Sequence, residues 1–495
     1  MPPKMINKTI KVLFIAAEAD PFIKVGGLGD VAYALPKALM DLSINHQLND
    51  DLQLDVRVAI PCHANVCEKI SDSTLVASFS ILHSGDQLPV NVYQTRVNNI
   101  LFYLFSGAPT VPGDSPVYSG NNRVDALKYF LFSLASLEFA KLIDWQPDIL
   151  HANDWHTALA VYRLAELRKT DPFYKNTHSV FTLHNLPYMG TGTEMELAEF
   201  GIPVSTDEDL PEWARNLPLP LGLHAADQIV AVSPTYGKEI LTPEFGCGLN
   251  PYLNTRNATV TGIINGIDQV LWDPSTDETL ASKFSVNQIK LRKLNKESLI
   301  REFGLNEDLH IPIITLIGRL DPQKGVDIAI EALRQLSDLP WQAIILGTGF
   351  SKIEEDTRIL AKEFPDQVRA VLKFDAKLSR RLYGGADMIL MPSRYEPCGL
   401  AQMIAMRYGC VPIARATGGL KDTITDISDK ENCTGFLFEN PIGSNLAGVV
   451  TQALSTFEDD FLWNKIQVRG MLKDYSWKMP AQTYADIYQK FVASQ

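Results

Sequence analysis

No run of apolar residues in this 495-residue chain approaches the roughly 18 needed for a helical membrane span. The opening residues, Met1 to Thr9, are polar and lack a signal-peptide pattern. Cysteine is scarce: Cys62, Cys67, Cys247, Cys398, Cys410 and Cys433 form no CxxC pair and no Cys/His spacing suited to zinc. Cys62 and Cys67 read as two buried thiols. Positive charge is also short, with 45 Lys and Arg against 58 Asp and Glu. A net charge of -13 weighs against a nucleic-acid binder, which needs clustered cations to release counterions. The one notable cluster, Lys290, Arg292, Lys293 and Lys296, reads as a solvated helix face. These absences predict a reduced, cytoplasmic protein with no metal, no nucleic acid and no membrane among its partners. They also require that any anionic substrate meet a local positive site inside an acidic molecule.

What is present is a large apolar complement, 46% of residues, enough for two or three cores. Short β-branched runs alternate with amphipathic helical stretches, the pattern of parallel sheets with helical crossovers. The first set of strands is expected at 11–17, 54–60, 148–152, 179–184, 228–232 and 260–267, with helices over 125–143 and 156–169. The second set is expected at 312–318, 341–347, 368–374, 388–391 and 411–414, with helices over 326–336 and 400–409. Asp273 to Asn306 is polar and without a convincing strand, which marks a domain boundary. The expectation is an α/β protein of two domains sharing one cleft, over 1–270 and 271–480. A last helix near 482–491 follows Pro480, in a segment 481–495, and is able to pack on either domain.

The first strand runs into Lys24-Val25-Gly26-Gly27-Leu28-Gly29-Asp30, just before a helical stretch. Glycines allow close backbone approach, helix N-terminal amides favour phosphate, and Lys24 adds a mobile charge. The turn fits neither the P-loop nor the dinucleotide fingerprint, so an ordinary β–α turn remains open. Two further strands end in His151-Ala152-Asn153-Asp154-Trp155-His156 and in His184-Asn185. Polar groups at the carboxyl ends of parallel strands are candidate ligand contacts. A helix N-cap for Asp154 and a structural hydrogen bond for His184 are the competing readings.

In the second half, Gly318-Arg319-Leu320-Asp321-Pro322-Gln323-Lys324-Gly325 sets two cations five residues apart on one loop. Arg grips phosphate in a fork and Lys acts as a point charge, so together they suit a departing diphosphate. Ser393-Arg394-Tyr395-Glu396-Pro397-Cys398-Gly399-Leu400 leads into a helix, with Glu396 able to accept from sugar hydroxyls or to sit on the helix dipole. Gly347-Thr348 and Thr417-Gly418-Gly419 are further turns after strands. Phe374 is core or ligand-facing.

These motifs, in this order from Lys24 to Tyr475-Ser476-Trp477-x-x-Pro480, resemble the bacterial glycogen synthase and plant starch synthase family. The resemblance implies the GT-B architecture: two Rossmann-like domains facing each other across a deep cleft, the last helix returning to the first domain. It implies transfer of glucose from ADP-glucose to the non-reducing 4-OH of an α-1,4-glucan, with retention and without a cofactor. Lys24, Asp154, His184, Arg319, Lys324 and Glu396 would then be catalytic. Gly26, Gly27, Asn265, Gly347, Thr348, Phe374, Cys398, Gly399, Leu400, Thr417, Gly418 and Gly419 would join Lys24, Arg319 and Lys324 around the donor, with Phe374 on the adenine. Many related retaining enzymes carry a second Glu eight residues after the first. Here that position is Ile404, which favours the starch and glycogen synthase branch. Lys128 stands where relatives often carry Arg, and no site role is assigned there. A glucan phosphorylase would need a pyridoxal-phosphate lysine motif, which is absent, and a non-enzymatic glucan binder would be expected to lose these charged residues. Oligomeric state is not readable from the sequence.

Overall fold

The computed structural model describes residues 8–44, 52–63, 66, 72–107 and 117–493. Backbone contacts divide the chain into two compact units: Met1–Gly266 with Trp477–Gln495, and Ile267–Ser476.

Unit 1 is built on a nine-stranded sheet of order β3-β4-β5-β2-β1-β6-β7-β8-β9. Its strands are β1 (Lys8–Ile15), β2 (Leu52–Pro61), β3 (Thr74–His83), β4 (Asp86–Val97), β5 (Ile100–Ser106), β6 (Ile149–Asn153), β7 (His178–Leu183), β8 (Gln228–Ala231) and β9 (Val260–Gly262). All pairings are parallel except β3–β4 and β4–β5. The crossover helices include α1 (Gly27–Ile44), α2 (Asn122–Leu142) and α3 (Trp155–Thr170). The chain reverses its direction of travel across the sheet between β1 and β6, the place where parallel sheets open a crevice at the carboxyl edge.

The β3–β4 hairpin and the following β5 have no counterpart among the expected strands. Residues of β3 are exposed or half-buried and largely alternate, and Ser84 and Gly85, at φ 49° and 88°, make the tight turn. The expected strand 260–267 stops at Gly262, which leaves Asn265 on the following loop. The C-terminal helix, Lys478–Ala493, contains Pro480 in its first turn and packs on α1 and β1 of unit 1. Trp477, Ala481, Tyr484, Ala485 and Tyr488 enter the same core as Ile10, Val12 and Phe14.

Unit 2 carries six strands in the order β12-β11-β10-β13-β14-β15, all parallel. They are β10 (Ile313–Ile317), β11 (Gln342–Leu346), β12 (Val368–Val371), β13 (Met388–Met391), β14 (Val411–Arg415) and β15 (Phe436–Phe438). The helices named below are α4 (Arg292–Phe303), α5 (Val326–Gln335), α6 (Ser351–Glu363), α7 (Ala401–Arg407) and α8 (Gly418–Thr423). Burial of both sheet faces explains why β10, β11, β13 and β14 read as continuous apolar runs.

Two expectations are corrected. The Lys290–Lys296 cluster is not a solvated face throughout: Lys290 and Lys293 are exposed, but Arg292 and Lys296 are buried. Lys296 Nζ lies 2.8 Å from Asp387, and Arg292 donates to the Tyr383, Ala386 and Tyr408 carbonyls. The i, i+4 spacing turns both cations inward, and a buried carboxylate with backbone acceptors offsets their desolvation. Cys62 is disulfide-bonded rather than a free thiol; Cys67 lies outside the described residues, as do the first seven residues of the polar N-terminus. Cys398, Cys410 and Cys433 are buried free thiols. Among the described residues no helix is long and apolar enough to cross a membrane.

Candidate active site

Three adjacent strands of unit 1, β1, β6 and β7, end in polar groups on one edge of the sheet. Asp154 follows β6 at the N-cap position of α3 but makes no side-chain cap bond. Its backbone adopts φ 56°, rare for a residue with a side chain, and its carboxylate turns to the neighbouring strand end. There Oδ1 accepts from the backbone amides of His184 at 2.7 Å and Asn185 at 3.3 Å. Burial pushes the Asp154 pKa up to about 7, and those two amides hold it back from rising further. Asp154 is therefore a carboxyl group poised between its protonation states near neutral pH.

His184 Nε2 lies 3.0 Å from Asn153 Oδ1, while Asn153 Nδ2 donates to the Ile15 carbonyl at 2.9 Å. The amide orientation makes Asn153 Oδ1 the acceptor, so His184 carries its proton on Nε2 and a lone pair on Nδ1. Burial lowers its pKa to about 3, which keeps the ring neutral at pH 7. His151 is instead structural: it is fully buried and bonds Tyr488 and Thr182. Asn265 is 5% exposed and its Oδ1 lacks a partner, a buried acceptor without its hydrogen bond. Gly26 lies in the turn between β1 and α1 and Gly27 opens α1, and Lys24 beside them pairs with Asp30 at 2.5 Å.

In unit 2 the strands β10, β13 and β14 are neighbours, and their carboxyl ends gather the charged groups. Asp321 organises the first loop, accepting from the Lys324 amide at 3.0 Å and pairing with Arg319 at 3.0 Å. Lys324 Nζ reaches both oxygens of Glu396, at 2.9 and 2.7 Å, and Ser393 Oγ donates to the same carboxylate at 2.9 Å. Glu396 is buried, while Lys324 keeps 27% of its side chain exposed. Glycine is required behind this pair. A Cβ on Gly418, at φ 44°, would stand 2.0 Å from the Glu396 carbonyl, and one on Gly419 would stand 2.1 Å from that of Cys398. Thr417, buried at the N-cap of α8, precedes them without a side-chain cap bond.

Cys398 is buried, and Gly399 at φ 73° and Leu400 carry the chain into α7. Ile404 faces the interior of unit 2. Gly347 and Thr348 follow β11, with Thr348 Oγ1 donating to Glu354 at 2.6 Å. Phe374 is 86% exposed, so it is not a core residue. Lys128 is buried and donates to the Val117 carbonyl at 2.6 Å and to Asp125 at 3.0 Å, a structural tie within unit 1. Glu18, fully buried beside the glycine turn, was not singled out from the sequence; an acidic residue at the end of the apolar run Val12–Ala17 was the available signal.

Residues 11–255 match the family described as Starch synthase catalytic domain, and residues 296–460 match Glycosyl transferases group 1. Two Rossmann-like units carrying these domains define a glycosyltransferase of the GT-B class. The chain is 38% identical to a glycogen synthase of Clostridium perfringens over 98% of its length and 99% of the relative's. It is 35% identical to that of Thermotoga maritima over the same shares. The catalytic domain of starch synthase IV from Arabidopsis thaliana, solved bound to ADP and acarbose, superposes with a TM-score of 0.86 at 30% identity, covering 98% of this chain and all of that one. The chain belongs to the bacterial glycogen synthase and plant starch synthase family of glucosyltransferases.

Proposed function

We propose that the chain transfers glucose from ADP-glucose to the non-reducing 4-OH of an α-1,4-glucan, with retention at the anomeric carbon, in the cytoplasm. The observation that carries the reading is the two-pronged Lys324–Glu396 pair beside Arg319, at the carboxyl edge of unit 2. Arg319 and Lys324, with Lys24, neutralise the diphosphate as negative charge grows on it. Glu396 holds Lys324 in place, and its oxygens accept from sugar hydroxyls. His184 accepts a sugar hydroxyl at Nδ1, while Asp154 and Asn265 hold the glucosyl group further. The buried Asn265 Oδ1 without a partner is the group such a contact would satisfy.

Retention through a covalent intermediate needs an ionised carboxylate aimed at the anomeric carbon. Asp154, with its raised pKa and its Oδ1 occupied by two amides, is poorly suited to that role. The departing diphosphate itself assists deprotonation of the incoming hydroxyl in this reading. Neither metal nor bound cofactor takes part.

Adenine is assigned from the ADP in the starch synthase IV structure and from the exposed Phe374 ring, which is free to stack on a base. The test is kcat/KM for ADP-glucose against UDP-glucose, with ADP-glucose expected to be preferred; better turnover of UDP-glucose overturns the donor assignment and spares the reaction class. Phe374→Ala should raise the ADP-glucose KM severalfold with little change in kcat. A purely catalytic defect would place the ring elsewhere. Cys398 is not a nucleophile, so Cys398→Ser should keep full activity in an initial-rate assay.

A further inference from the structure

Glu18 takes no part in the reading above, yet it is the group around which the glycine turn is folded. It is wholly buried. Its carboxylate accepts from the backbone amide of Val25, from that of Gly26 at 3.2 and 3.3 Å, and from the Tyr118 hydroxyl at 3.2 Å. Burial pushes its pKa up, and the Val25 and Gly26 amides pull it back down. A buried carboxylate held by backbone donors is tolerable only while those donors stay aimed at it. The turn is closed on itself as well: the backbone amide of Asp20 donates to the Gly29 carbonyl at 3.1 Å, and those of Phe22 and Ile23 donate to the Ala19 carbonyl. Lys24 stands on the outer side of this knot, with 37% of its side chain exposed.

We propose that Glu18 is a positioning residue that holds the Lys24–Gly27 turn in the shape the donor's diphosphate needs. The proposal rests on the assignment of this turn to the diphosphate. Because the amides of Val25, Gly26 and Gly29 are already turned to Glu18, a phosphate at this turn meets those of Gly27 and Leu28, in the first turn of α1. Glu18 touches no substrate atom and acts through the backbone alone.

Glu18→Gln keeps the volume but puts an NH2 donor where an oxygen accepted. Calorimetric titration of the full chain with ADP and with AMP tests the role. The variant should bind ADP about tenfold more weakly, a change of about 1.4 kcal/mol, and AMP within about twofold of wild type. The KM for glucan should not move. Unchanged ADP affinity, or equal weakening of ADP and AMP, overturns the proposal. A wild-type protein that fails to bind ADP removes the donor reading itself, which is a distinct result. Hydrogen exchange on the wild type decides the matter if the variant does not fold. Slow exchange at Val25 and Gly26 with or without ADP is expected, with new protection on ADP binding at Gly27 and Leu28. ADP-dependent protection at Val25 and Gly26 instead overturns it.

Discussion

Alanine in place of Arg319 or Lys324 is expected to lower kcat by at least about two orders of magnitude. Both cations sit on the loop after β10, and under the proposed function they meet charge there that grows only as the glycosidic bond breaks. An interaction made mainly with the transition state appears in kcat rather than in KM. The two variants should differ in stability. Arg319 has 58% of its side chain exposed, so its removal leaves little unsatisfied. Removing Lys324 leaves the buried Glu396 carboxylate without its cation, held by Ser393 Oγ. Lys324→Ala should therefore also unfold at lower temperature, and pairing it with Glu396→Gln should restore stability without restoring rate. Glucose incorporation into glycogen at saturating donor measures the first effect and thermal unfolding the second. Near-normal kcat in both single variants would remove the diphosphate role.

The second large effect is a loss of stability in unit 1 on mild acidification. Four of its histidines, His63, His151, His156 and His184, are held neutral by burial, with pKa values lowered to about 4 for His63 and about 3 for His151 and His184. A group whose native pKa lies below its unfolded value contributes stability that is complete above pH 6.5. That stability drains away as the pH falls toward the native pKa. At pH 5 each of the three with stated values forfeits about 2 kcal/mol. Asp154 works in the opposite sense: its pKa of about 7 means that protonation stabilises the folded form as the pH falls, returning about 2 kcal/mol. Over these four groups the loss is about 4 kcal/mol, a large share of an ordinary domain's stability. Unit 2 contains a single histidine, His310, and serves as the internal control. Urea unfolding at pH 7.5 and pH 5 should show the unit 1 transition moving to lower denaturant, by more than that of unit 2. A unit 1 midpoint indifferent to pH would contradict the burial of these rings.

Most strands buried on both faces were legible because they read as unbroken apolar runs, and β13 falls where the pattern put it, although β5, equally apolar, has no expected counterpart. The β3–β4 hairpin was not. Its edge strand, β3, has residues only exposed or half-buried, so its alternation is diluted by polar side chains, and the Ser84-Gly85 turn was the clearest local signal. β15 has three residues, too few to show any period. Among the site groups, Asp154, His184, Arg319 and Glu396 were visible as polar residues at the ends of apolar runs. Their relations were not. That Asp154 shuns its own helix and binds the amides after β7 depends on a positive φ at one residue, which no local pattern announces. The inward turn of Arg292 and Lys296 depends on Asp387, some ninety residues away.

The helix at the chain's end completes a core whose strands began at Lys8, while all of unit 2 is encoded between them. On a ribosome, unit 2 has every residue it needs before unit 1 has its last. The first sheet must therefore wait, with one face near Ile10, Val12 and Phe14 uncovered, until Tyr484 and Tyr488 have been made. The larger unit is begun first and finished last, so its apolar face is the part of the nascent chain most in need of shelter during synthesis.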